Sequence, residues 1–173
     1  MSTFQLKTIS PDGIPHALEK AERYRLLNDP AQAESICHDV LAADHDNQDA
    51  LRCLILSLTD QFGASGAGHT AREARTYIVK LTDEYERAYY SGLVHERETR
   101  AFLGRKNVVR SAAYDGFRHA MEWYERAEAL RPPGNVDAEQ HAVSKRRLTL
   151  DLLGRHAGLV VGHIARVLVV TAV

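Results

Sequence analysis

The stretch 116–138 constrains the fold of this 173-residue chain more than any other. One aromatic and two small residues are spaced by four and three positions, which places them on one helical face: Ala120, Tyr124 and Ala127. The helix has to end before Pro132, because proline lacks the backbone N–H that a helix interior needs. Asn135 can then cap another helix. The stretch therefore predicts two consecutive helices joined by a proline turn.

The same pattern occurs earlier in the chain. Ala33, Cys37 and Val40 repeat the face, and the chain starts a new helix at Gln48. The stretches 14–58 and 117–143 resemble tetratricopeptide repeats, in which a pair of antiparallel helices recurs about every 34 residues. His45 stands where the family usually has proline, and Lys20 where it usually has leucine. Ala33 and Ala120 lie 87 residues apart, so the intervening repeat is expected to be irregular.

The resemblance implies an all-α fold. It would be an antiparallel α–α superhelix, a right-handed helical-repeat solenoid of about three irregular repeats plus a C-terminal capping segment. We expect a single domain over residues 1–173, since this length suffices for one core. Residues 1–12 are expected to form a loose lead, and 154–173 an atypical valine-rich end.

Turn and capping signals predict the helix limits. The expected helices cover residues 15–28, 30–43, 48–61, 70–103 and 135–153. One more helix is expected to begin between residues 108 and 116 and to end at 130. The span 70–103 is read as one long helix that can kink at Gly92, and the alternative is two antiparallel helices with a turn near Thr82. Thr70 and Glu73 are expected to form a capping box. The first helix is expected to bury Ala17, Ala21, Tyr24 and Leu27.

The C-terminal segment differs from the rest. Gly154, Gly158 and Gly162 recur every fourth residue in a valine-rich sequence that four basic residues interrupt. These charges argue against a membrane-spanning helix, which needs about 20 nearly uninterrupted apolar residues. The segment is interpreted as a capping helix, a strand-like end or an unfolded tail. Its apolar surface offers a route to a homo-oligomer.

Composition excludes several classes of partner. A net charge of −1 gives no general attraction to nucleic acid or to anionic membranes, so neither partner is expected. The N-terminus lacks the apolar run of a secretory signal, which predicts a cytoplasmic protein. Cys37 and Cys53 lie among apolar neighbours and are predicted to be reduced core residues.

No catalytic motif is present, so the chain is not expected to be an enzyme or to hold a cofactor. His95-Glu96 lacks the second histidine of a His-Glu-x-x-His zinc helix, and no metal site is expected. The glycine-rich run 63–68 lacks the Lys-Ser or Lys-Thr of a phosphate loop. Asp83 with Arg87, and Glu96 with Arg100, are interpreted as ion pairs on an exposed helix face.

The resemblance also implies a function. Such repeats bind a peptide or helix of a partner protein in a concave groove, lined by outward positions of the first helix of each repeat. Carried over to this chain, those positions are Glu22, Arg25, Arg52, Leu56, Thr59, Gln140, Ser144 and Arg147. Both charge signs occur among them, which favours a mixed-charge peptide with an acidic anchor. Leu18, Glu22 and Cys53 replace the lysine and asparagine of the chaperone-binding members, so a heat-shock tail is not expected.

A second hypothesis comes from a different class of protein. Tyr89, Tyr90 and His95 precede Trp123 in a region rich in aromatic residues. A helical ligand-binding or catalytic domain would place an apolar pocket with a few polar groups between these residues and Trp123.

Overall fold

A computed structural model of the protein describes residues 9–63, 67–104 and 110–131. After a single 3₁₀ turn at Pro11–Gly13, the helices are α1 (Ile14–Leu26), α2 (Pro30–Ala43), α3 (Gln48–Asp60), α4 (Ala67–Ile78), α5 (Glu84–Leu103) and α6 (Arg110–Leu130). No strand occurs in these ranges. The predicted all-α class is therefore confirmed for the described part of the chain. The predicted helix 135–153 and the valine-rich end 154–173 lie outside it.

Local capping sets the starts of α2 and α3. Asp29 accepts a hydrogen bond from the Gln32 backbone N–H at 3.4 Å, and Asn47 accepts one from the Ala50 N–H at 2.9 Å. Each cap satisfies a backbone donor that has no partner inside the helix. The predicted limits of α2 are confirmed, and those of α3 differ by one residue at its end.

The end of α1 differs from the prediction. The helix ends at Leu26, and Asn28 follows with a φ of 60°, a left-handed conformation that asparagine tolerates. The Asp29 N–H then bonds to the Tyr24 carbonyl at 2.9 Å and reverses the chain. Leu27, predicted to face the core, lies in this reversal and is 70% exposed.

The span 70–103 forms two helices, not one. α4 ends at Ile78 and α5 begins at Glu84. Asp83 caps α5 by accepting the Tyr85 N–H at 2.8 Å, and the Arg87 guanidinium donates to the Leu81 and Thr82 carbonyls at 2.6 and 3.1 Å. The prediction of one long helix is therefore wrong, and the alternative of two antiparallel helices with a turn near Thr82 is confirmed. The capping box at Thr70 is wrong, because α4 already begins at Ala67.

Contacts between helices define the topology. Each helix packs against the next one along the chain, and α3 also packs against both α1 and α5. Gln48 bonds to Thr82 at 2.9 Å, Arg52 to Glu86 at 2.9 Å, and Asp60 pairs with Arg97. Because these partners advance together along α3 and α5, the two helices run parallel, with α4 antiparallel between them.

The starts of the first helices recur with a nearly constant period. α3 begins 34 residues after α1, and α5 begins 36 residues after α3. The second helices are less regular, because α4 begins 37 residues after α2 and α6 begins 43 residues after α4. The irregularity expected from the 87-residue spacing is therefore found in the second helices, and the deeper position of Ala120 inside α6 adds to it.

The core lies between the successive helix pairs. α3 contributes the largest share of it, with Leu51, Leu54, Ile55 and Leu58 fully buried. Cys37 and Cys53 are buried and form no disulfide, as expected. At the α5–α6 contact, Gly92 lies under the Tyr124 ring and Gly116 lies against Thr99, so each helix supplies a glycine that admits a side chain of the other. Within the ranges described, none of the helices combines the length and apolar character needed to cross a bilayer.

Candidate partner-binding face

Three parallel helices, α1, α3 and α5, share a row of polar side chains at their C-terminal halves. The Asp60 carboxylate accepts hydrogen bonds from Arg25 Nε at 3.0 Å and Arg25 Nη2 at 2.8 Å. Arg97 Nη1 pairs with the other oxygen of Asp60 and also donates to Thr59 Oγ1 at 2.8 Å. One carboxylate on α3 thus holds a guanidinium from each neighbouring helix.

A second ion pair lies two turns earlier on α3. Arg52 Nη1 contacts both carboxylate oxygens of Glu86 on α5, at 2.9 and 3.0 Å. Arg52 Nη2 pairs with Asp49 on its own helix. Burial acts to lower the pKa of Arg52, but the hydrogen bonds that Arg52 donates to Asp49 and Glu86 outweigh burial and raise the pKa above its ordinary value.

We call these two groups the charge row: Arg25, Asp60, Arg97, Arg52, Glu86 and Asp49. The arginine and aspartate side chains of the Arg25–Asp60–Arg97 group are 20–28% exposed, so water reaches them but their geometry is fixed by mutual contact. Fixed guanidinium groups have N–H donors beyond those already used, which suits recognition of a carboxylate. The row can therefore bind charged groups of both signs.

The predicted groove residues fall into three groups. Arg25, Arg52 and Thr59 are brought together in or beside the charge row. Glu22 is exposed on α1, and Leu56 is half-buried against the core. Gln140, Ser144 and Arg147 lie outside the described residues.

Sequence reasoning missed the acidic half of this face. Asp60 and Glu86, together with Arg97, were not singled out, although they are the partners of the predicted arginines. The partners are separated by 34 to 37 residues, close to the repeat length. A search for opposite charges at that separation could have found them.

The second hypothesis places its residues in two different environments. Trp123 borders a surface hollow of about 180 Å³ between α4, α5 and α6, lined also by Ile78, Ala88, Ser91 and Arg126. Tyr89, Tyr90 and His95 do not line it. Among the described residues, this hollow does not combine Trp123 with those three residues.

Tyr89 belongs instead to an aromatic cluster of the interior. Its ring lies 5.3 Å from that of Tyr90 and 6.0 Å from that of Tyr124, measured between centroids. Burial raises the pKa of Tyr89 to about 12 and raises those of Tyr90 and Tyr124 as well. Rings packed in this way stabilise a core, and their phenols stay protonated at neutral pH.

Glu96 and Arg100 form their expected pair, at 2.5 Å, but the environment differs from the prediction. The Glu96 side chain is only 3% exposed, and its second oxygen accepts a hydrogen bond from Tyr124 at 2.6 Å. The Asp83–Arg87 pair was also expected, but Asp83 caps α5 and Arg87 pairs with Glu84 at 3.3 Å. The prediction of two exposed pairs is wrong, because Glu96 is buried at the α5–α6 contact and Asp83 caps the start of α5.

His95 is also a residue of a helix contact. Its ring lies 6.1 Å from that of His119 on α6. Burial, aided by the charge of Arg75, lowers the pKa of His95. A neutral imidazole at this position is compatible with a packed helix interface.

Comparison with known proteins gave no match: no family model, curated protein or solved structure is similar enough to this chain to be reported.

Proposed function

We propose that the chain is a tetratricopeptide-like helical-repeat module, without catalytic activity, that binds a peptide or helix of another protein on the face of α1, α3 and α5. The observation that carries this proposal is the charge row, in which side chains from three parallel helices meet at separations close to the repeat length. Repeat modules bind extended partners on faces built in this way.

The chemistry of the row indicates the kind of partner. Arg25 and Arg97 flank one carboxylate, so an acidic group of the partner can share their donors while a basic group meets Asp60 or Glu22. Half-buried Leu56, one turn from Asp60, offers an apolar contact on the same helix. A mixed-charge segment with an acidic anchor and an apolar side chain fits this face best.

A selection from a displayed random-peptide library, with the purified full chain as bait, tests the proposal. Selected peptides are then measured against Arg52→Gln, which removes the charge and leaves a shorter side chain that still carries an amide donor. We expect the peptide Kd to rise about fivefold or more, since charged contacts at a rim set specificity and association rate.

A matched control separates the two candidate sites. Arg126 is exposed on α6 and lies over the Trp123 ring at 5.4 Å, beside the hollow. Arg126→Gln should leave the Kd unchanged if the charge row binds the peptide. Loss of binding in Arg126→Gln but not in Arg52→Gln would contradict the proposal and favour the hollow. Melting temperatures of both variants show whether either change acts through stability.

A charge reversal at Arg52 is not a suitable test of binding. Glutamate there would face Asp49 and Glu86, and like charges at that distance destabilise the helices themselves. The neutral Arg52→Gln variant avoids this effect, so a loss of binding can be attributed to the face.

A further inference from the structure

A mixed cluster of metal-ligand types lies between α2 and α4. Glu34 and His38 come from α2 and Glu73 from α4, and one ligand atom of each lies within 4.8 Å of the other two. His38 Nε2 is 3.9 Å from Glu34 Oε1. One turn further along both helices, the rings of His38 and Tyr77 meet edge to face at 6.1 Å. Glu34 and His38 of α2 therefore lie next to Glu73 and Tyr77 of α4.

These donors suit a zinc ion. Zinc in proteins is bound by imidazole nitrogen and carboxylate oxygen at about 2.0–2.2 Å, with four ligands in a tetrahedron. Glu34 and His38 are four residues apart and project from the same face of α2. All three side chains are half-buried, so they are partly fixed by their neighbours and still accessible to an ion.

The two carboxylates of the cluster favour binding of a cation. Within the described residues, the ion pairs of Glu34 and Glu73 are made with His38 and His69, and neither is made with a lysine or arginine. Two carboxylates so close together repel each other, and a divalent cation between them would remove that repulsion. Gln61 Nε2 donates to the second oxygen of Glu34 at 2.5 Å, a contact that orients the carboxylate as outer-shell partners of metal ligands do.

We propose that Glu34, His38 and Glu73 form a zinc site that joins α2 to α4. The fourth position is open to water or to His69, whose Nδ1 lies 4.0 Å from Glu73 Oε2. The site lies in the layer of α2 and α4, whereas the charge row lies on α1, α3 and α5. It therefore does not depend on the proposed function. Its ligands are contributed by separate helix pairs, so an ion there fastens the first pair to the second.

Metal titration of the full chain, stripped with a chelator, tests the site. We expect one high-affinity Zn²⁺ per chain by calorimetry and, with Co²⁺, visible absorption bands of a low-symmetry four-coordinate complex. His38→Ala and Glu73→Gln should each raise the Zn²⁺ Kd by about tenfold or more. The other histidines of the chain are present in both variants.

His16→Ala is the matched control. His16 forms a similar pair with Glu19 at 3.9 Å on α1, but both are exposed, with side chains at 87% and 73%. Its Zn²⁺ Kd should equal that of the wild type. Equal weakening in His16→Ala, unchanged binding in both site variants, or no zinc binding by the wild type would overturn the proposal.

Thermal melts separate metal loss from misfolding. Zinc at saturating concentration should raise the melting temperature of the wild type and of His16→Ala, because an ion that binds only the folded state stabilises it. It should leave His38→Ala and Glu73→Gln at their chelator-treated values. If either variant fails to fold in chelator, Glu34→Gln takes its place under the same criteria.

Discussion

Gly116 leaves less room for a Cβ at the α5–α6 contact than Gly92 does. A Cβ at Gly116 would overlap Thr99 Oγ1 and lie 3.2 Å from Thr99 Cβ, which the helix backbone holds in place. We expect Gly116→Ala to lower the free energy of unfolding by about 1–3 kcal/mol, the usual cost of overpacking. Chemical denaturation measures it.

Gly68 provides the control for this substitution. It lies near the start of α4, and a Cβ there meets nothing within 4 Å. Gly68→Ala should stabilise the protein by roughly 0.5–1 kcal/mol, because alanine loses less conformational freedom in a helix. If both substitutions had the same sign, the close approach at Gly116 would be wrong. Adding Thr99→Ala to Gly116→Ala should restore part of the lost stability.

Tyr124 connects a buried charge to the aromatic cluster. Its hydroxyl donates to Glu96 at 2.6 Å, and the residue is 5% exposed. Tyr124→Phe keeps the ring but removes the donor of a buried carboxylate, which should cost roughly 1–3 kcal/mol. Tyr124→Ala also loses the ring and should cost roughly 3 kcal/mol or more. A change under about 1 kcal/mol in Tyr124→Ala would contradict this packing.

The buried tyrosines predict a loss of stability in alkali. Burial raises the pKa of Tyr89 from its ordinary 10.0 to about 12. The unfolded chain therefore releases this proton at lower pH than the folded chain. The stability that the protonated Tyr89 contributes is fully present below pH 10. It is lost as pH rises from about 10 to 12, at about 1.4 kcal/mol per pH unit for each such tyrosine.

Tyr89→Phe isolates this effect from other groups that titrate in the same range. Its free energy of unfolding should fall less steeply with pH than that of the wild type. The slopes should differ by the amount that one released proton contributes. Melting temperatures taken between about pH 8 and pH 11 provide the comparison. Parallel profiles for the two proteins would mean that Tyr89 is not protected from ionisation.

The α4–α5 turn was not predicted by the sequence pattern, which indicates one continuous helix. Residues 79–83 contain neither glycine nor proline, and Leu81 and Tyr85 continue the apolar spacing of the preceding helix. The turn is formed instead by the Asp83 cap and the Arg87 hydrogen bonds to Leu81 and Thr82, together with a contact of the Thr82 N–H with distant Gln48 at 2.9 Å. The limits of α2 and α3 were predictable because a turn-forming sequence precedes each cap, with Pro30 in one case and residues 44–47 in the other.

Cap variants test the helix start directly. Asp83→Ala removes the acceptor for the Tyr85 N–H and should cost about 1 kcal/mol. Thr70, inside α4, has a hydroxyl with no hydrogen-bond partner among the described residues. Thr70→Ala should therefore cost nothing or stabilise slightly, whereas a capping role would make it as costly as Asp83→Ala. Denaturation curves of the two variants distinguish these cases.

At the scale of the whole molecule, two of the six residues of the charge row were predicted from the sequence. Arg25 and Arg52 were expected from the resemblance, because positions along one helix follow from its period. Their partners Asp60 and Glu86 lie on the next helix of the layer, and that alignment depends on how the helices stack. The helix-forming pattern of a single segment contains no information about it.

The charge row also contributes to the alignment of α1, α3 and α5. Asp60→Asn leaves Arg25 and Arg97 facing a neutral amide and, with it, each other. We expect a loss of roughly 1 kcal/mol at low salt that becomes smaller as salt screens the two guanidinium charges. Denaturation at two salt concentrations measures it. A loss that does not depend on salt would point to packing instead of charge.

The central claim is that a partner binds on the layer of α1, α3 and α5. The most direct measurement is a map of backbone amide chemical shifts of the full chain, recorded by NMR with and without a library-selected peptide. We predict that the largest changes fall in 14–26, 48–60 and 84–103, centred on Arg25, Asp60 and Arg97. Changes concentrated in α2, or in α6 around Trp123, with the charge row unperturbed, would contradict the account.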